Sequence, residues 1–172
     1  MIAALAFYQL LATASFTLLG LWFVVVGLSH GGWRTDPTRH RYDLHVALHF
    51  LLPGATGLAA VLAGGEPLFW RAGALLAAAA GLVESLGFLA APGFPRTLPG
   101  RALRALDPVL YAFVGVAAVT SLPLGLLPMR IEGVASGLVF LAGTAYLWLA
   151  YAERPAPLPA PTRVPHASEE EP

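Results

Sequence analysis

The chain has no cysteine in its 172 residues. This excludes disulfides, thiolate nucleophiles and thiolate metal sites, and says nothing about redox compartment. Lysine and asparagine are also missing, and isoleucine occurs only at Ile2 and Ile131. We read this bias as the codon usage of a GC-rich bacterial genome. Charge is scarce: 12% of residues are charged and the net charge is +0. Soluble domains carry about 25%, and a chain without excess positive charge has no electrostatic footing on nucleic acid.

What is present is apolar sequence, 57% of the chain, in long runs almost free of ionisable residues. Helices of that kind cannot expose their faces to water, and about 20 such residues cross a hydrocarbon core of roughly 30 Å. The runs predict an all-α, polytopic bundle of five transmembrane helices in residues 1–152. Residues 153–172, Pro-rich and ending on Glu169, Glu170, Glu171 and Pro172, are expected to form a disordered cytoplasmic tail.

The expected spans are Ile2–Leu28, Asp43–Ala63, Leu68–Ala91, a fourth opening at Asp107-Pro108 and kinked or ended by Pro123, and Ile131–Tyr151. The first is too long for a signal-peptide core and is read as retained. Gly64-Gly65-Glu66-Pro67 reads as a tight turn. Arg101 to Leu106 reads as a separate amphipathic turn at the membrane surface. Asp107 is expected to cap the fourth helix, with Pro108 at its first position.

Of the ten arginines, Arg34, Arg39, Arg41, Arg96, Arg101, Arg104, Arg154 and Arg163 fall on one side of this topology. Only Arg71 and Arg130 fall on the other. Such a bias places the N-terminus outside and the C-terminus in the cytoplasm, and the expected location is a bacterial inner membrane. Trp33, Tyr42, Trp70, Trp148 and Tyr151 lie near span ends and read as interfacial anchors.

Polar residues inside the spans carry what functional signal there is. Glu84 lies far from either end of its helix, flanked by small Ala77, Gly81 and Gly87. Such a carboxyl usually faces the bundle or a wet cavity, as a proton or ion ligand or as a structural group. His45 and His49 share a helical face with Thr56. Counting about 1.5 Å per residue, His49, Glu84 and Tyr111 fall at one depth. The expected cluster is His45, His49, Glu84, Asp107 and Tyr111, open toward the cytoplasm, with Glu84 level with His49 and Tyr111.

Metal candidates are His45, His49 and Glu84, since two imidazoles four residues apart present one helical face. The zinc-protease HExxH pattern is absent, no nucleophile-elbow context surrounds Ser85, and the sequence implies no cofactor strongly. Glu132 reads as a first-turn acid favoured by the helix dipole. Gln9, Thr13 and Thr17 form a stripe read as interhelical hydrogen bonding, and Gly133 and Gly137 as a close-packing or homo-oligomer face. The expected partners are the lipid bilayer and a second copy or larger membrane complex. The first expectation is a non-catalytic membrane subunit or accessory protein. The alternatives are a small ion or proton channel or transporter and, third, a metal-dependent membrane enzyme.

Overall fold

A computed structural model describes residues 2–29, 36–64, 66–91, 97–120 and 128–152. Five helices occupy them: α1 Ile2–Ser29, α2 Pro37–Leu62, α3 Pro67–Ala90, α4 Leu98–Val119 and α5 Pro128–Ala152. Each is long and apolar enough to cross a membrane, and the described residues contain no strand. The proposed disordered tail, Trp33, Arg34, Arg96 and Pro123 lie outside the described residues.

Successive helices pack as antiparallel neighbours. α2, α3, α4 and α5 close a ring through the α2–α5 contact, and α1 lies against α2 and α5. Between helices in lipid, packing and hydrogen bonds hold the bundle, because lipid tails are as apolar as leucine. Small residues set the closest approaches. A Cβ on Gly57 would meet the Tyr8 carbonyl oxygen at 2.7 Å, and one on Gly143 would meet the His49 Cβ at 2.8 Å. One on Gly81 would overlap the Tyr111 ring. Gly133 and Gly137 pack in this same way within the chain, against Phe7 of α1 at 3.2 and 3.4 Å.

Three helix starts differ from the sequence expectation: α5 begins at Pro128, not Ile131, and the starts of α2 and α4 move further. α2 begins at Pro37, not Asp43: the Asp36 carboxylate accepts from the backbone N–H groups of Thr38 (2.9 Å) and Arg39 (3.2 Å). Asp36-Pro37 is the cap and first position, so Asp43 lies inside the helix and is buried. α4 begins at Leu98, where Thr97 accepts from the Gly100 N–H at 3.3 Å. The Arg101–Leu106 stretch is therefore the first part of a continuous α4, and Asp107-Pro108 is interior. Pro108 leaves the Arg104 carbonyl without its helical partner, as Pro53 of α2 does for His49. At the other end of the bundle Gly64 adopts φ 58 and turns the chain from α2 toward α3.

Three surface expectations also change. Tyr42 and Trp70 are core residues, whereas Trp148 and Tyr151 are exposed near the end of α5, where an anchor belongs. The Thr13 and Thr17 hydroxyls donate to the carbonyls of Gln9 and Thr13 in their own helix. That stripe faces outward and bridges no helices, because back-bonding already satisfies it. Glu132 sits beyond the first turn of α5 and is fully buried.

Candidate functional site

The ring of α2 to α5 encloses a knot of ionisable side chains. His45 and His49 of α2 are buried one turn apart, with ring centroids 4.6 Å apart. Asp107 of α4, fully buried, sits between them and α5. His45 Nε2 is 3.0 Å from Asp107 Oδ2, His49 Nε2 is 3.3 Å from Asp107 Oδ1, and the Tyr146 hydroxyl donates to Oδ2 at 2.5 Å. On the far side of the same rings, His45 Nδ1 lies 2.5 Å from Glu84 Oε2, and His49 Nδ1 lies 2.9 Å from the His45 carbonyl. A carbonyl only accepts, so His49 carries its hydrogen on Nδ1.

Packing fixes these rings. Phe88 of α3 stacks on His45 at 3.8 Å, and Tyr146 meets both imidazoles edge-on at 4.9 and 5.2 Å. Arg104 holds Phe88 in turn, its guanidinium 5.0 Å from the ring centroid and donating to the carbonyls of Phe88, Leu89 and Ala91. Those carbonyls lie at the end of α3, where helical partners run out; that of Phe88 also accepts from the Ala91 N–H at 3.1 Å, so one side chain both reinforces the cap of α3 and braces the wall of the site.

The five sequence candidates meet with one rearrangement. Glu84 contacts His45 rather than His49 or Tyr111, because α2 begins earlier than expected and carries His49 deeper into the bundle. The Tyr111 ring packs edge-on to His49 at 5.6 Å, and its buried hydroxyl has no hydrogen-bond partner among the described residues. Glu84 is the partly open member: 16% of its side chain is exposed, beside a vestibule of about 560 Å³ that Arg41 and His40 also line.

No protein family, no curated protein and no solved structure matches this chain. The site therefore rests on its own geometry.

Among the described residues, the group close enough to share one ion is His45, His49 and Asp107, whose ligand atoms lie within 4.8 Å of one another. Glu84 stands behind His45, in the position of an outer partner. Tyr146, Tyr8 and Ser136 were not singled out by sequence reasoning. The Tyr8 hydroxyl lies between Glu132 Oε2 and the Met129 carbonyl, 2.7 Å from the latter, and Ser136 donates to Glu132 Oε1 at 2.5 Å. The one available signal was the i, i+4 spacing of Glu132 and Ser136, which puts hydroxyl and carboxylate on one helical face.

Proposed function

We propose that this chain is a metal-binding membrane protein that takes one divalent transition-metal ion from the Glu84 vestibule onto His45 Nε2, His49 Nε2 and the Asp107 carboxylate. The observation that carries this reading is the state of the other ring nitrogens. Metal-ligating histidines donate their second N–H to a carboxylate or a backbone carbonyl, which sets tautomer and orientation. His45 Nδ1 faces the Glu84 carboxylate and His49 Nδ1 faces a carbonyl, leaving both Nε2 atoms turned toward Asp107.

A tetrahedral ion with bonds near 2.0–2.1 Å separates its ligand atoms by about 3.3 Å; the nitrogen–oxygen distances here are 3.0 and 3.3 Å, to the two different oxygens of Asp107, and the ligand atoms as a set lie within 4.8 Å of one another, so a small closing of the group would seat the ion. Imidazole donors favour zinc, cobalt, nickel or ferrous iron over magnesium and calcium, which prefer all-oxygen shells. Three protein ligands leave a coordination position open, the count found in catalytic rather than structural zinc sites. With the arginine-rich side in the cytoplasm of a bacterial inner membrane, the vestibule faces inward.

A second reading, the non-catalytic subunit, has one observation in its favour. The same contacts cross-link α2, α3, α4 and α5, which is what a purely structural knot would do. Metal content separates the two. Full-length protein dialysed in detergent against zinc or cobalt should retain about one ion per chain. His49→Ala and Asp107→Asn should lose it, and Glu84→Gln should weaken binding about 10–100-fold, the cost of a lost outer partner. Wild-type protein that holds no more metal than the Asp107→Asn variant would leave the structural knot as the better account.

A further inference from the structure

The vestibule beside Glu84 carries a charge that the metal site does not use. It opens where α2 begins and α3 ends, and Thr38, His40, Arg41 and Leu44 of α2 line it with Glu84 of α3 and Ala91. Arg41 stands one helical turn before His45, and its guanidinium reaches across to α3. A Cβ on Gly87 would meet Arg41 Nη2 at 2.6 Å, so glycine is what leaves the guanidinium its place.

The donors of Arg41 are not spent there. Its Nε is buried without a hydrogen-bond partner, and it forms no salt bridge, among the described residues. Arg104 shows the contrast, its guanidinium donating to three carbonyls at the end of α3. Glu84, the acid on this wall, lies against His45 Nδ1 instead. The N–H groups in the first turn of α2 are taken by Asp36, so recognition in the vestibule falls to side chains. A buried donor left unpaired calls for a partner such as an ion. The guanidinium is a planar fork whose N–H groups match two oxygens of a phosphate.

Volume indicates what that phosphate is joined to. The vestibule holds about 560 Å³, within the roughly 300–1,000 Å³ of small-molecule sites and far more than a bare phosphate fills. Away from Arg41 its wall is apolar, at Pro37, Leu44 and Ala91.

We propose that the vestibule binds an organic phosphate, its oxygens on the Arg41 guanidinium with His40 at the rim and its organic part against Leu44 and Ala91. Two sources share this chemistry: a soluble phosphate ester and the headgroup of an anionic phospholipid, which basic pockets between membrane helices also bind. Once bound, the phosphate offsets the positive charge of Arg41 beside the entry to Glu84. The site uses none of His45, His49 and Asp107, so either reading can fail alone.

The test uses full-length protein in a neutral maltoside detergent, as purified and again after dialysis against a chelator, so that phosphate held by a metal ion is told apart. Isothermal titration calorimetry with glycerol 3-phosphate and with dihexanoyl phosphatidylglycerol should show saturable binding of at least one probe, undiminished by the chelator. Binding of glycerol 3-phosphate assigns a soluble ester, and binding of the lipid alone assigns a headgroup. Arg41→Gln should weaken the binding about 10–100-fold, the worth of a charge-assisted hydrogen bond. Arg41→Lys keeps the charge without the fork and should recover only part of it. Gly87→Ala keeps every charge and pushes the guanidinium aside. The flexible end of an arginine yields, so this variant should unfold at the wild-type temperature yet bind severalfold more weakly. Arg101→Gln, on the exposed face of α4, should bind as wild type does. No saturable binding of either probe, binding that the chelator abolishes, or an Arg41→Gln protein as tight as wild type would overturn the site. Should Arg41→Gln fail to fold, Gly87→Ala decides alone, and wild-type affinity there overturns it.

Discussion

At the scale of single residues, small side chains matter as much as the ionisable ones. Gly81 is the floor under Tyr111, and any Cβ there overlaps the ring. Gly81→Ala should therefore lower stability by about 1–3 kcal/mol, the usual cost of overpacking, read as a lower midpoint in denaturant titration from micelles. Gly27 has open space around it, so Gly27→Ala should be neutral or slightly stabilising, since alanine is the better helix former by about 1 kcal/mol. Equal effects at the two positions would mean that Tyr111 is not held where the structure puts it. The histidine pair was legible at this scale, because i, i+4 spacing on a helix fixes a shared face. Asp107 was placed in the cluster by its depth but misread as the cap of α4, for a physical reason: Asp-Pro is a strong start signal, and Thr97-Leu98-Pro99 offers a second one shortly before it. Only packing decides between them, and neighbouring helices allow a proline such as Pro108 in a membrane helix interior.

At the scale of elements, the end of α3 and the start of α4 form one unit through Arg104. Arg104→Met keeps the aliphatic stem but removes the donors to the Phe88, Leu89 and Ala91 carbonyls. We expect faster amide exchange in the last turn of α3 and a loss of about 1–2 kcal/mol, in keeping with a few net hydrogen bonds. Arg101→Met, on the exposed face of α4, should leave exchange in that turn unchanged. If both variants behave alike, the cap does not hold α3. The existence and approximate extent of all five helices could be read from hydropathy alone, since the bilayer sets their length. Their starts could not, because a cap is a local contest of side-chain oxygens for backbone N–H groups. The Tyr8–Glu132 contact was beyond sequence reasoning altogether: periodicity reports faces within a helix and carries no information on which faces meet across the chain.

At the scale of the whole molecule, the arginine asymmetry makes a topological prediction. A reporter joined after α5 should be active if it needs the cytoplasm and silent if it needs the periplasm. The reverse pattern would turn the vestibule outward and change the compartment from which an ion reaches Glu84. The bundle also has a closing step. Tyr8 reaches Met129 across 121 positions of sequence and Asp107 reaches Tyr146 across 39, so both polar centres wait for α5. A ribosome that has delivered only α1 to α4 leaves Asp107 without its tyrosine and Tyr8 without its acceptors, in a medium with no water to replace them. α5, the latest of these five helices to be synthesised, is thus the keystone of biogenesis, and a chain interrupted before Pro128 should present the membrane's quality-control proteases with an open, half-satisfied polar seam.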